Sequence, residues 1–222
     1  MYSLSLRAAP RLMGMQMKRR VEISMDLVCV RCCLGFTRLL RAARHHRSDG
    51  GEVDMVIRPF QAEPDAPSAG EPLFEVWRRT RGEAFVRQVT SDTSFGVADG
   101  LELHFERALF TNTFEAHRLV ARASAQGLGE RMAERLFRAY FTDGLLISDR
   151  TTLARLAAET GVVADHTASD TIELRAELDR VRALGIQVDT VPYVAFEGGT
   201  VLEGAQEEDA YRAALTALTP AG

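Results

Sequence analysis

A chain of 222 residues, 46% hydrophobic and 26% charged, is long enough to bury one large core or two modest ones, and its formal net charge of −4 argues against a general nucleic-acid footprint. No stretch approaches the roughly 20 apolar residues that a membrane-spanning helix needs. Lys18 is the single lysine, so nearly all positive charge is arginine, spread over every segment rather than gathered in a basic patch.

Residues 1–20 hold Arg7, Arg11, Lys18, Arg19 and Arg20 and no acid, but lack the apolar core and small-residue cleavage site of a secretory signal. Met17-Lys18-Arg19-Arg20 leads directly into a strand-like Val21–Asp26, which places residues 1–17 as a disordered extension outside the fold. Without export the expected compartment is the cytoplasm, where a lasting structural disulfide is disfavoured.

After the first strand comes Cys29-Val30-Arg31-Cys32, which opens a helix-like Cys33-Leu34-Gly35-Phe36-Thr37-Arg38-Leu39-Leu40. A thiol at a helix start sits among unsatisfied N–H groups and the positive end of the helix dipole, both of which favour the thiolate. A second sulfur one turn along can close a disulfide with the first and release whatever the first had bound. A zinc site would need four ligands, but Cys33 adjoins Cys32, and His45 and His46 lie at the far end of the helix, so no metal ligand set is assigned. Arg31, between the cysteines, is a candidate for lowering the Cys29 pKa, the alternative being a solvated side chain. Cys33 reads as a small hydrophobe beneath the helix.

Val53–Ile57 alternates as a second strand stopped by Pro59, and Pro64–Pro72 is a Pro, Ala and Gly connection. Leu73–Val89 has a helical pattern broken by Gly82. Asn112 or Thr113 can cap a helix carrying Phe114, His117, Leu119, Val120 and Ala123, ended by Gly127-Leu128-Gly129. Glu130–Phe141 follows with Met132, Leu136, Phe137, Tyr140 and Phe141 at helical spacing, and Asp149 caps a helix reaching Gly161. Ser169–Leu184 is a further helix stopped by Gly185.

Thr190-Val191-Pro192-Tyr193-Val194-Ala195-Phe196 places a proline at the head of an apolar strand, where its missing N–H costs no ladder bond. Glu197-Gly198-Gly199 turns the chain into Thr200–Gly204, making a hairpin, and Gln206–Leu218 closes it with a helix whose apolar face is Tyr211, Ala214, Leu215 and Leu218. Pro192 lies far beyond the dozen or so residues that a crossover from Cys32 needs, so the intervening chain is an insert.

In its order of elements the chain resembles the DsbA family of thioredoxin-like proteins, most closely the FrnE-like branch of cytosolic thiol oxidoreductases. The matching stretches are Asp26-Leu27-Val28-Cys29 with Cys32 and Gly35, Arg58-Pro59-Phe60, Pro64-Asp65-Ala66-Pro67, Asn112 to Leu119, Leu136 to Phe141, and Ala183 to Gln206. The resemblance implies an α/β, thioredoxin-like fold (residues 18–71 and 187–222) with an inserted all-helical domain (residues 72–186), and a cis Pro192 facing the cysteines. It implies a thiol:disulfide oxidoreductase with Cys29 as nucleophile, Cys32 as resolving thiol, and Pro192 with Val191 as the wall and backbone edge against which a thiol or disulfide substrate lies in extended form. His117, in a family motif, is a candidate to reach the same cleft. No cofactor is implied; glutathione as co-substrate and a homodimer stay open, and no membrane or nucleic-acid partner is expected. The Val30-Arg31 pair departs from the proline-containing dipeptide common in the family. Two other readings remain: a kappa-like glutathione transferase or isomerase acting on a small aromatic substrate, against which the intact Cys32 counts, and a non-catalytic metal-binding module.

Overall fold

The computed structural model describes residues 18–92, 94–165 and 168–217. The expected extension 1–17 lies outside the described residues. One sheet organises the thioredoxin half, its strands in the order β2 (Val53–Pro59), β1 (Arg19–Met25), β5 (Tyr193–Phe196), β6 (Val201–Glu203). β1 pairs in parallel with β2 and antiparallel with β5, so the strand that leads to the cysteines lies in the interior of the sheet. Val21, Ile23 and Met25 of β1 are fully buried, as expected of alternate residues pointing into a covered face.

Helix α1 (Val30–Ser48) follows β1 and packs against the terminal helix of the described chain, Glu208–Ala217. Among the described residues six helices run between β2 and β5: α2 (Leu73–Arg81), α3 (Glu83–Ser91), α4 (Phe114–Ala125), α5 (Gly129–Phe141), α6 (Arg150–Thr160) and α7 (Ala168–Ala183), which makes the terminal helix α8. The break between α2 and α3 falls at Gly82, whose φ of 84° lies in the left-handed region that glycine adopts without strain. The helical insert also holds a two-residue ladder, β3 (Glu71–Pro72) with β4 (Leu109–Phe110), and a 3-10 turn at Val97–Asp99. These short pieces arise where the chain enters and crosses the insert; β3 brings the linker back against β4, and Leu73 N–H donates to the Ala108 carbonyl (3.0 Å).

Insert and sheet share one hydrophobic cluster. Phe36 and Leu39 of α1 belong to it together with Leu136 and Phe137 of α5 and Leu153 of α6, and the Phe36 and Phe137 rings lie 5.7 Å apart. α4 and α7 lean on β2. Along α1, arginines at spacings of three bind outward in turn: Arg38 and Arg41 to Asp99, Arg44 to Glu134, Arg47 to Glu130. The dithiol helix is therefore fixed along its length by the insert and by α8.

Candidate active site

Cys29 is the N-cap of α1. Its extended backbone (φ −91°, ψ 114°) lets its sulfur turn back over the first helical turn, where Sγ accepts the Cys32 N–H at 3.3 Å. The first turn of α1 contains no acid, so none of its own side chains opposes the positive end of the helix at the sulfur. A hydrogen bond from the Cys32 thiol holds the Cys29 thiol below its ordinary pKa. Burial opposes this, the Cys32 N–H assists it, the Asp26 carboxylate opposes it, and the Arg31 charge assists it last and least. Cys32 is fully buried and is driven well above the ordinary value by burial first and then by its bond to Cys29 and the charge there. The two sulfurs thus differ: the partly exposed Cys29 has its pKa lowered, and the enclosed Cys32 has its pKa raised. Cys33, buried on the other side of the helix start, is pushed up to about 12 by burial, with the Cys29 charge adding to it, which makes it an inert core thiol.

Asp26, three residues before Cys29 and 1% exposed, received no role from the sequence. Its Oδ1 accepts the Leu27 N–H (2.8 Å), its Oδ2 accepts the Ala62 N–H (2.8 Å), and its carbonyl accepts the Cys29 N–H (3.3 Å). The carboxylate ties the end of β1 to the chain leaving β2 and shapes the turn that carries Cys29. An acid inside the otherwise apolar Met25-Asp26-Leu27-Val28 was the available sign, because a charge buried at the end of a strand is kept only where it is well hydrogen-bonded.

His117 is corrected by its burial. At 2% exposure on α4, its Nε2 lies 2.9 Å from the Phe60 carbonyl oxygen and 3.4 Å from Asp26 Oδ1, so it supports Asp26 from within. The Val191–Pro192 bond is cis. Pro192 packs directly on α1: a Cβ added at Gly35 would come within 2.6 Å of Pro192 Cγ, so only glycine permits this approach. Val191 is fully buried, with its side chain in the core. Arg31 is exposed, and its guanidinium donates to the carbonyls of Val188 (2.7 Å) and Asp189 (2.9 Å) in the loop that leads to Pro192. Among the described residues no group of three or more His, Cys, Asp or Glu could hold a metal ion.

The family model for the DSBA-like thioredoxin domain matches residues 20–216. Among solved structures, the chain is similar to a probable DsbA oxidoreductase from Streptomyces coelicolor, with 25% identity, 92% of this chain and 93% of that one covered, and a TM-score of 0.78. It shares its fold with the cytosolic disulfide reductase DsbM from Pseudomonas aeruginosa (22% identity, 89% and 97% covered, TM-score 0.55). It shares it also with a 2-hydroxychromene-2-carboxylate isomerase (12% identity, 90% and 95% covered, TM-score 0.63). No curated protein matches the chain.

Proposed function

The chain belongs to the DSBA-like thioredoxin domain family, and from that premise we propose that it is a thiol:disulfide oxidoreductase of the FrnE-like branch, working in the cytoplasm through Cys29 and Cys32. The observation that carries this reading is the division of labour at the start of α1: an N-cap sulfur that accepts the Cys32 N–H and whose pKa is lowered by Cys32, and a buried Cys32 whose pKa is raised by burial. The Cys29 thiolate attacks one sulfur of a substrate disulfide; the S–S bond breaks, a mixed disulfide forms, and the departing sulfur leaves as thiolate and takes up a proton. Cys32 then gives up its proton and attacks Cys29 Sγ, forming the intramolecular disulfide and releasing the second substrate thiol. The substrate gains two electrons and the dithiol loses them. Two equivalents of a small thiol, with glutathione as the candidate, return the dithiol by the reverse exchange. The Pseudomonas reductase that shares the fold is seen with GSH.

The expected disulfide links Cys29 to Cys32, which mass spectrometry after mild oxidation reads directly. Cys29→Ser abolishes exchange, while Cys32→Ser accumulates mixed disulfides on Cys29 because the resolving step is gone. Three free thiols under conditions that oxidise glutathione, or a dominant Cys32–Cys33 linkage, would overturn the proposal.

A further inference from the structure

The guanidinium of Arg31 is held by main-chain carbonyls. Nη1 donates to the Asp189 carbonyl and Nη2 to the Val188 carbonyl, so the planar fork bridges two consecutive peptide groups, a match that a lysine cannot make. Those carbonyls stand in a turn closed at both sides. Thr190 donates its N–H (3.1 Å) and its hydroxyl (3.0 Å) to the Gln187 carbonyl, and the Gly204 N–H reaches the Thr190 carbonyl (2.9 Å). Downstream, Val191 and Pro192 are buried. Val188, 50% exposed, and the exposed Asp189 are what the loop presents at the surface, one arginine side chain away from the Cys29 turn.

We infer that Arg31 is a positioning residue, which ties the Val188–Asp189 rim to the first turn of α1 so that a peptide laid along the rim presents its sulfur to Cys29. The inference rests on Cys29 being the nucleophile of a disulfide exchange. A small disulfide touches Cys29 without spanning the rim, whereas an extended peptide needs both at a fixed separation, and the residue therefore selects between substrate sizes. Its charge reaches the sulfur only as the least of the influences there, behind both hydrogen bonds from Cys32.

The test measures kcat and KM for wild type, Arg31→Ala and Arg31→Lys with 2-hydroxyethyl disulfide and with an extended peptide in mixed disulfide with a chromophoric thiol, and the pH dependence of Cys29 alkylation. Arg31→Ala should lower the ratio of kcat/KM for peptide over small disulfide roughly tenfold, chiefly through KM, as expected for hydrogen bonds from a charged donor. Arg31→Lys should fall between. The alkylation midpoint should move less than it does in Cys32→Ala. An unchanged ratio, or an equal loss on both substrates with a midpoint moved as far as in Cys32→Ala, overturns the inference while leaving the oxidoreductase reading intact. A wild type that exchanges neither disulfide overturns both.

Discussion

Two neighbours act on Cys29 in opposite directions. The Cys32 thiol and N–H stabilise its thiolate, and the buried Asp26 carboxylate disfavours it. Because the Cys29 pKa is lowered in the folded protein, its thiolate forms at lower pH than that of the same thiol without these contacts. Alkylation by iodoacetamide should therefore reach half its limiting rate at a lower pH than it would without them. Cys32→Ala, which removes the largest stabilising contact, should move the midpoint up, and Cys32→Ser, which keeps a hydroxyl donor, should move it less. Asp26→Asn should move it down. The same replacement leaves the Leu27 and Ala62 N–H groups with one oxygen acceptor between them, which costs about 1–3 kcal/mol of stability. Midpoints that shift together in one direction would refute the opposition.

At the level of elements, the clearest node outside the site is Asp99, at the end of the 3-10 turn. Its carboxylate faces Arg38 in a two-point contact (Nε–Oδ1 3.0 Å, Nη2–Oδ2 2.9 Å) and also binds Arg41. Arg38 and Arg41 in turn reach Glu207 and Glu208 around the start of α8. The hydrogen bond from Arg38 holds the Asp99 carboxyl below the usual carboxylate range. A folded-state pKa below the unfolded one contributes stability that is complete above the unfolded value of about 3.9 and is lost as the pH falls through the folded value. Asp99→Asn should thus cost about 1–3 kcal/mol at neutral pH. The difference in melting temperature from wild type should shrink below about pH 4; a difference independent of pH would show that packing, not charge, matters there.

Much of this layer was legible beforehand. The hairpin of β5 and β6, the break at Gly82, the Asp149 cap, whose carboxylate accepts the Thr152 N–H, and the order strand, dithiol helix, strand, insert, proline strand all follow from periodicity and from residues with fixed backbone roles. What escaped was long-range. Arg31 meeting Val188 and Asp189, Gly35 meeting Pro192, and His117 meeting Asp26 join residues far apart in the chain, and an exposed arginine or an amphipathic histidine carries no local mark of its partner.

Over the whole molecule, the insert and the sheet are parts of one core. Trp77 of α2 packs against Phe74, Phe85 and Phe105; Phe105 meets Phe141, Phe141 meets Phe137, and Phe137 meets Phe36 on the dithiol helix. A shared core predicts a single cooperative transition. Unfolding in urea followed by Trp77 emission, which reports the insert, and by the appearance of reactive Cys32 and Cys33 thiols, which report the thioredoxin half, should give one midpoint. Phe137→Ala should lower that midpoint for both probes together, by about 3–5 kcal/mol of stability. Two separated midpoints would show halves that unfold independently.

Lys18 stands immediately before β1, half-exposed and paired with Asp54 (3.2 Å), and it carries the chain's single ε-amine. β1 runs from Arg19 to Met25, and at roughly 3.3 Å per residue its seven residues span about 23 Å from the Lys18 backbone to the end of the strand that leads to Cys29. The molecule thus carries two chemically distinct handles toward opposite ends of one strand, an amine at the base and the Cys29 thiol beyond the tip. A surface that couples side-chain amines would hold every copy by the same end, with the dithiols facing the solution.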